Sequence, residues 1–461
     1  MTGRQTFLIL GASGDLTARL LLPGLASLVE SGQAGDVLLV GSSVEDWSDA
    51  EWRDRVRDSF REAGAAGEAT SALVESAEYR QADVTKPDDL RRLLGTLEGA
   101  PVIYFALPPE VSILACEALR EVGCPEGTRL ALEKPFGRDA ESAAAFNDLL
   151  ADLVPESRVH RIDHFLGFST VLNIVGLRFA NRILEPVLNS HHVESVEIVW
   201  DEDLALEGRA GYYDRAGALV DMIQSHLLQV TAVLAMEPPP TLEAVDVRDG
   251  TARVLRAASV WADDPVRFSR RARYTAGEID GRRLPDYASE DGVDPNRRTE
   301  TFAEVILSIA TWRWAGVPFR LRSGKALGNP RKEAVVNFRR PERTPEGFRG
   351  TDGADRLRIG LGFGADKLRL DLAVNGPGDP VELDRATLEA DLGAGYLSEY
   401  GEVLKGVLDG NPTLSVRGDA AVDCWRIIEP VRRAWREGEV PLEEYPAGSP
   451  GPGRWPESGL P

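Results

Sequence analysis

The sequence predicts a two-domain protein, in which an α/β domain with a parallel, doubly wound sheet precedes an α+β domain with a large, mainly antiparallel sheet. Strand and helix patterns alternate through the first third of the chain, and the alternation ends after about Arg161. A chain of 461 residues also exceeds what one ordinary hydrophobic core organises. We place the domains at residues 1–162 and 163–461.

The first predicted strand ends in a glycine turn. Apolar residues run from Thr6 to Leu10, the turn follows at Gly11-Ala12-Ser13-Gly14-Asp15-Leu16, and leucine and alanine then recur at helical spacing through Leu28. Glycines at such a turn let the backbone approach a pyrophosphate, and the next helix offers unpaired N–H groups. Nucleotide binding is one interpretation, and an ordinary turn of an α/β fold is the other.

The rest of the first domain keeps the same alternation. Short apolar runs predict strands at Val37–Val40, Val102–Ala106 and Leu130–Leu132. Amphipathic stretches predict helices near Trp52–Phe60, Val111–Leu119 and Ala140–Leu153. Residues 63–72 are predicted as loop or extended chain. Alternation of this kind indicates a parallel, doubly wound sheet.

The second domain has different patterns. Val193–Trp200 alternates like a half-buried strand, and Ala216–Met236 has helical periodicity. Alternate positions from Leu368 to Val374 are apolar, which is typical of a strand in an antiparallel sheet. We therefore expect helices that pack on a mainly antiparallel sheet.

Composition and charge exclude several classes of protein. The net charge of −21 argues against a nucleic-acid partner. The three cysteines, Cys116, Cys124 and Cys424, have no metal-ligand spacing and suggest neither a disulfide framework nor a zinc site. No segment is predicted to be long and apolar enough to span a bilayer, and the N-terminus lacks the pattern of a signal peptide. We therefore expect a cytoplasmic protein without a metal or a membrane partner.

The end of the second strand bears on the choice of cofactor. The residues there run from Gly41 through Val44 and Glu45 to Asp46. A carboxylate can accept hydrogen bonds from a ribose 2′-hydroxyl, whereas a 2′-phosphate needs arginine or lysine. The segment supplies acid and no base, although the start of a solvated loop would look the same.

Together these motifs resemble those of the glucose-6-phosphate dehydrogenase family. The matches occur in order along almost the whole chain: GASGDL at Gly11–Leu16, ALPP at Ala106–Pro109, EKPFG at Glu133–Gly137, RIDHFLG at Arg161–Gly167, LRFAN at Leu177–Asn181, HLLQ at His226–Gln229, WRWAGVPF at Trp312–Phe319, SGKAL at Ser323–Leu327 and YPAGS at Tyr445–Ser449. The resemblance implies an N-terminal Rossmann domain that binds NAD(P). It further implies a sugar dehydrogenase that oxidises C1 of a pyranose to a 1,5-lactone. It also implies a homodimer or homotetramer.

The resemblance also assigns roles to residues. The catalytic base falls on His226 and its orienting carboxylate on Asp163, a pairing that suits removal of the C1 hydroxyl proton. Without the motif, His226 would be a histidine on an apolar helix. The implied substrate contacts are Lys134, His164, Phe165, Phe168, Glu202, Asp221, Lys325 and Arg331. The implied cofactor contacts are Gly11, Ser13, Gly14, Asp15, Leu16, Val44, Glu45, Asp83, Val84, Pro108 and Lys134.

This chain departs from the family at the phosphate clamp. The family pattern is His-Tyr-Leu-Gly-Lys, whereas the present chain has Phe165 and Phe168 in place of the tyrosine and lysine. Loss of a buried lysine contact to phosphate would cost about 2 to 5 kcal/mol. We therefore expect glucose or a related non-phosphorylated or C6-modified hexose as substrate. The alternatives are a genuine NADP-dependent glucose-6-phosphate dehydrogenase, with the phosphate held by other basic residues, and an inactive nucleotide-binding regulator.

The cofactor site departs from the family as well. Val44 stands where the family has an NADP-binding arginine, and Leu20 replaces a lysine. Both changes remove positive charge near the expected 2′-phosphate. We therefore expect NAD as the preferred cofactor, while Arg19 leaves NADP open.

Overall fold

The structure is a computed structural model that describes residues 4–206, 210–350, 353–362, 367–393, 395–453 and 455. The chain forms two compact units, and each is assembled from segments that are separated in sequence. Unit 1 comprises Met1–Phe168, Pro239–Ala252 and Gly395–Trp425. Unit 2 comprises Ser169–Pro238, Arg253–Ala394 and Arg426–Pro461.

The strands of the described residues are, in chain order, β1 Gln5–Leu10, β2 Val37–Ser43, β3 Glu78–Gln81, β4 Val102–Phe105, β5 Arg129–Glu133, β6 Val159–Ile162, β7 Val193–Asp201, β8 Ala258–Val260, β9 Ser269–Thr275, β10 Gly277–Ile279, β11 Arg282–Leu284, β12 Phe302–Ile309, β13 Phe319–Gly324, β14 Lys332–Phe338, β15 Arg349–Gly350, β16 Arg356–Gly360, β17 Lys367–Asn375, β18 Glu382–Asp391, β19 Ser415–Val416 and β20 Leu442–Pro446. The α-helices are α1 Leu22–Glu30, α2 Asp49–Glu62, α3 Glu68–Ser76, α4 Pro87–Gly95, α5 Pro109–Val122, α6 Ala140–Leu153, α7 Ser169–Phe179, α8 Ala210–Ala218, α9 Leu228–Ala235, α10 Ala244–Ala257, α11 Glu399–Asp409 and α12 Gly418–Arg436. Two π-helical segments, Thr17–Leu21 and Leu219–Leu227, precede α1 and α9.

Unit 1 is built on a seven-stranded sheet with the order β19-β6-β5-β4-β1-β2-β3. All neighbouring strands are parallel except β19, which pairs antiparallel with β6. Strand β1, which lies inside the sheet between β4 and β2, is buried from Thr6 to Leu10 and contributes Phe7 and Ile9 to the core. The predicted Rossmann-type sheet is thus confirmed.

One local prediction for this unit was wrong. Residues 68–72 begin helix α3 and are not loop or extended chain. Thr70, Leu73 and Val74 are its buried residues, and their spacing places them on one helical face. The sequence pattern does not reveal this short apolar face, because the alanines and glycines of residues 63–67 precede it.

Unit 2 is built on a mixed sheet with the order β15-β18-β17-β16-β14-β7-β13-β12-β9-β20, and β8 also pairs with β12. Seven of these pairs are antiparallel. Three, β7–β13, β15–β18 and β9–β20, are parallel. This confirms the expected large, mainly antiparallel sheet.

The longest apolar helical run of unit 2 extends from Ala210 to Ala235 and changes its geometry on the way. Gly217 has φ 66° and ψ 173°, which interrupts the helix before the π-helical segment begins. By length and composition this run could cross a membrane, so the prediction that no segment is long and apolar enough was wrong. However, 89% of its most apolar stretch of 18 residues is buried inside the protein. Such burial is typical of a core helix.

The glycine turn after β1 requires a residue without a side chain at position 11. Gly11 has φ 89°, and a Cβ atom built there would lie 2.2 Å from the carbonyl oxygen of Ala106. The Ala106 N–H donates to Leu10 at 2.9 Å, which holds the two chain segments together. Only glycine fits this backbone conformation and this close approach.

We expect Gly11→Ala to lower the free energy of unfolding more than Gly32→Ala does. Gly32 also has a positive φ of 71°, but a Cβ there meets nothing within 4 Å. The Gly32 variant should therefore lose only the left-handed backbone strain, about 1–2 kcal/mol. Urea unfolding of the two variants measures the difference, and equal losses would contradict a close approach at Gly11.

A partly buried acid ends strand β5. The Glu133 carboxylate accepts hydrogen bonds from the hydroxyl of Tyr104 in β4 at 2.5 Å and from the hydroxyl of Tyr400 in α11 at 3.2 Å. Burial raises the pKa of Glu133 to about 7, although both tyrosines and the charge of Lys134 lower it. The charge of Asp163 raises this pKa further.

This raised pKa predicts a dependence of stability on pH. Protonated Glu133 stabilises the folded state fully below its unfolded pKa near 4.5, and this contribution is lost as the pH rises through about 7. Glu133→Gln should remove the loss. Its free energy of unfolding relative to wild type should rise by on the order of 3 kcal/mol between pH 5 and pH 8.

Urea unfolding over this pH range gives the measurement. Glu121→Gln, at an exposed position of α5, is the matched control. A Glu133→Gln curve parallel to that of wild type at every pH would refute the raised pKa.

Candidate functional site

The register of the parallel sheet gathers most of the predicted cofactor residues at one edge of unit 1. Leu10 at the end of β1 pairs with Ser42 and with Phe105. Glu133 at the end of β5 pairs with Ile162. The residues that follow these strands therefore lie at the carboxyl edge, where open α/β sheets bind their ligands.

The glycine turn is closed by backbone hydrogen bonds. The carbonyl of Ser42 accepts from the N–H groups of Gly11 at 2.8 Å and Ala12 at 3.1 Å, and the carbonyl of Gly11 accepts from Gly14 at 3.0 Å. The Thr17 hydroxyl also donates to Gly11, at 2.9 Å. A helix starts directly after the turn, so its N-terminal N–H groups and positive dipole end lie beside the turn. This arrangement fits a dinucleotide pyrophosphate.

Two predicted cofactor residues meet above this turn. The Ser13 hydroxyl donates to the Glu45 carboxylate at 2.7 Å. Hydrogen bonds from Ser13 and then Ser43 lower the pKa of Glu45, so the carboxylate is charged at neutral pH. Val44 beside it is 62% exposed. An acid therefore lies where the fold places a ribose.

A base that the sequence prediction missed lies at the same turn. Arg55 of α2 donates from Nη2 to the carbonyl of Ser13 at 3.3 Å. Its Nε is buried and has no hydrogen-bond partner among the described residues. Arg19, which was expected to leave NADP open, is exposed and pairs with Asp15 at 3.2 Å. The sequence contains no local motif that places Arg55 of α2 next to the glycine turn, so only the fold reveals this contact.

The other predicted cofactor residues have local structural contacts. Asp83 accepts from the Thr85 hydroxyl at 2.6 Å and pairs with Lys86 at 3.0 Å, and the Thr85 hydrogen bond is the main cause of its lowered pKa. Val84 is buried, and Leu16 packs partly buried against the core. Pro108 directly precedes α5. Their cofactor roles stay predictions.

Lys134 and Asp163 follow two neighbouring parallel strands, β5 and β6. A cavity of about 120 Å³ lies beside Lys134, lined among others by Glu133 and Pro135. Asp163 is wholly buried, and its Oδ1 accepts the N–H of Phe165 at 3.1 Å. The structure thus brings Lys134 and Asp163 to the same edge as the glycine turn.

The two phenylalanines of the altered clamp are buried. Phe165 and Phe168 are 3% and 6% exposed, and their ring centroids lie 4.9 Å apart. His164 is partly exposed and stacks on Tyr400 at 5.6 Å. The apolar character of the two phenylalanines is therefore accounted for by packing.

In unit 2, the π-helical segment Leu219–Leu227 carries Asp221 and His226. A π-helix repeats its hydrogen bonds from residue i to i+5, so these two residues, five apart, lie about one turn apart on the same side. His226 is 2% exposed, and Asp221 accepts from the Tyr212 hydroxyl at 3.4 Å. π-helical turns are frequent at functional sites.

Two further predicted sugar contacts pair with each other. Gly324 pairs with Asp201 in the parallel strands β13 and β7, so the next residues, Lys325 and Glu202, are neighbours. Lys325 Nζ lies 2.5 Å from Glu202 Oε2 and 5.2 Å from the ring centre of Tyr213. Burial, and then the charge of Asp221, raise the pKa of Tyr213 well above its usual value, and Glu202 adds to this. Asp221 and Glu202 therefore both act on this tyrosine.

Arg331 lies near this cluster but is engaged elsewhere. Its Nε donates to Glu333 at 2.7 Å, and its Nη2 lies 3.4 Å from Glu197. Its carbonyl accepts the N–H of Asp201 at 2.7 Å. The proposed substrate contact at Arg331 stays a prediction.

Comparison with known proteins gives close relatives over almost the whole chain. A glucose-6-phosphate 1-dehydrogenase of Gluconobacter oxydans is 36% identical, with 97% of this chain and 94% of the relative covered. One of Rhizobium meliloti is 35% identical with the same coverage. A solved structure of a glucose-6-phosphate dehydrogenase in complex with its substrate glucose-6-phosphate is 28% identical, covers 97% of this chain and 95% of its own, and has a TM-score of 0.86.

These relatives correct the expected substrate. A hexose without a C6 phosphate was expected from Phe165 and Phe168, and this expectation was wrong, because relatives that cover 97% of the chain are named glucose-6-phosphate 1-dehydrogenases. The physical reason is that both phenylalanines are buried and pack against each other, so packing alone accounts for their apolar side chains. The expected enzyme class, an NAD(P)-dependent oxidoreductase that acts on the C1 hydroxyl of a sugar, is confirmed.

Two family models match successive parts of the chain. Residues 8–173 match the glucose-6-phosphate dehydrogenase NAD binding domain, and residues 175–457 match the glucose-6-phosphate dehydrogenase C-terminal domain. The glycine turn lies in the first range and the Asp221–His226 segment in the second. The chain belongs to the glucose-6-phosphate dehydrogenase family.

Proposed function

We propose that this enzyme is a glucose-6-phosphate 1-dehydrogenase, which oxidises C1 of glucose 6-phosphate to the 1,5-lactone. The observation that carries the proposal is the cluster in unit 2, where Asp221 and His226 share one side of a π-helix and the Glu202–Lys325 pair lies near Asp221 through Tyr213. Sugar hydroxyls need charged donors and acceptors of this kind. The names of the relatives point to the same substrate.

The proposed chemistry removes a hydride from C1 and a proton from its hydroxyl. The nicotinamide cofactor, when bound, would supply the hydride acceptor. His226 takes the hydroxyl proton, so that the C1–O bond becomes the lactone carbonyl, and burial of His226 keeps its imidazole away from bulk water. For Asp163 we keep the predicted role of the carboxylate that stabilises the imidazolium.

The phosphate requires donors that the two phenylalanines do not supply. A phosphate monoester carries close to two negative charges at neutral pH. We assign His164 to this group, since it is the clamp residue that the chain keeps and it is partly exposed. Lys134, Glu202, Asp221, Lys325 and Arg331 are the other proposed sugar contacts.

The nucleotide end of unit 1 supports a preference for NAD over NADP. The charged Glu45 carboxylate, fixed by Ser13, would accept hydrogen bonds from a ribose 2′-hydroxyl and repel a 2′-phosphate. Arg55 at the same turn would favour the phosphate, so we propose a preference for NAD that leaves some activity with NADP. A cytoplasmic homo-oligomer is the proposed working form.

Initial rates with glucose 6-phosphate and with glucose test the substrate. We expect a higher kcat/KM with glucose 6-phosphate, since the phosphate adds charge-assisted contacts. His226→Asn should lower kcat by about 10²–10⁴ because the base is lost. His191→Asn, at an exposed position, is the control and should keep the wild-type rate. Equal or greater activity on glucose, or a His226→Asn enzyme as active as wild type, would refute the proposal.

The ratio of kcat/KM with NAD to that with NADP tests the cofactor. Glu45→Ser removes the repulsive charge, and we expect it to shift this ratio towards NADP by about tenfold or more. Arg55→Gln removes the nearby cation and should shift the ratio the other way. If Glu45→Ser leaves the ratio unchanged, Glu45 does not contact the ribose.

A further inference from the structure

Unit 2 contains a strongly basic cavity that the proposed reaction does not use. Its volume is about 480 Å³, which lies within the range of small-molecule sites. None of Glu202, Asp221, His226 and Lys325 lines it. Six arginines do: Arg215, Arg271, Arg297, Arg298, Arg432 and Arg436. Such a concentration is notable in a chain with a net charge of −21.

The carboxylates nearby do not neutralise all six arginines. Asp214 pairs with Arg297 at 2.6 Å. Arg432 and Arg436 share Glu429, at 2.9 Å and 2.7 Å.

The side chains of Arg215 and Arg298 have no hydrogen bond or ion pair to any described residue, so two full charges are left to a ligand.

One arginine is held rigidly in the wall. Arg271 donates to the carbonyl of Val440 from Nε at 3.1 Å and from Nη2 at 2.9 Å, and its guanidinium lies 5.7 Å from the ring centre of Trp435. Burial lowers the pKa of Arg271, and the positive charge of Arg298 lowers it too, against the effect of Glu300. The two guanidinium groups therefore repel each other, and an anion between them would relieve this repulsion.

We propose that this cavity binds a small phosphorylated anion, in which a polyphosphate chain is contacted by Arg215, Arg271 and Arg298. Guanidinium groups present planar forks of donors that match phosphate oxygens, and a preorganised arginine loses little freedom on binding. The chain of phosphates is either free or attached to a nucleoside, since both present the same group to the arginines.

The cavity also touches the helix that carries the proposed catalytic residues. Leu219 and Val220 line it, and the N–H of Leu219 donates to Glu300 at 3.1 Å. Burial raises the pKa of Glu300 to about 7, against the Leu219 hydrogen bond and the charges of Arg271 and Arg432. A bound anion would attract Arg271 and Arg432 and weaken their effect on Glu300. Glu300 accepts the N–H of Leu219 at the start of the helix that carries Asp221 and His226, so the anion would alter this hydrogen bond. An effect on kcat or KM for glucose 6-phosphate is expected, and this part alone rests on the proposed function.

Isothermal titration calorimetry with inorganic tripolyphosphate and with ATP tests the site on the full-length enzyme. The double variant Arg215→Gln/Arg298→Asn removes two charges, and asparagine suits position 298, where φ is 55°. We expect its affinity for tripolyphosphate to fall by about tenfold or more. The control Arg340→Gln/Arg343→Gln removes two exposed arginines outside the cavity and should bind as wild type does.

Competition separates this site from the substrate and cofactor sites. The titration is repeated with saturating NAD alone and with saturating glucose 6-phosphate alone, conditions under which no turnover occurs. Binding that survives both and is weakened only by the cavity variant supports the proposal, and tighter binding of ATP than of tripolyphosphate then identifies a nucleotide.

Three results would overturn the proposal: no binding of either probe to wild type, equal binding by the two double variants, or displacement by NAD or by glucose 6-phosphate. Calorimetry does not depend on turnover. An enzyme that binds tripolyphosphate but does not oxidise glucose 6-phosphate would therefore refute the proposed function and leave the cavity site standing.

Discussion

The hydrogen bond between the Leu219 N–H and the buried Glu300 carboxylate fixes the start of the helix that carries the candidate site of unit 2. Gly217, whose φ is 66°, allows the chain to pass this carboxylate, since a Cβ there would lie 2.2 Å from Glu300 Oε1. The π-helical segment starts at this contact and aligns Asp221 with His226. The cavity arginines Arg271 and Arg432 act on the same carboxylate. One acid thus links the helix with the basic cavity.

Local chemistry made much of unit 1 predictable. The turn at Gly11 follows from a strand that ends in glycine, and its φ of 89° explains why no other residue would serve. The π-helical register of residues 219–227 could not be predicted, because an apolar pattern indicates burial but not whether hydrogen bonds run to i+4 or i+5. The contact between Glu133 and Tyr400 spans 267 residues, and no local motif marks it. The limits 1–162 and 163–461 stay a prediction.

The substrate prediction failed for a related reason. A motif shows which side chain changed, but Phe165 and Phe168 had to be placed in the core before their change could be interpreted. Loss of a polar group at a buried position is compensated by packing, whereas the same loss in an open site changes what the site binds. Arg55 illustrates the opposite case, since an unremarkable arginine in α2 is brought to the glycine turn by the fold alone.

The environment of Glu133 has a consequence for the enzyme at neutral pH. With a pKa of about 7, the carboxyl group is protonated in a large fraction of molecules and ionised in the rest. Preparations near pH 7 therefore contain two charge states that differ by one proton next to Lys134. Small changes of pH around 7 therefore alter the proportion of these two forms, and with it the charge at the end of strand β5.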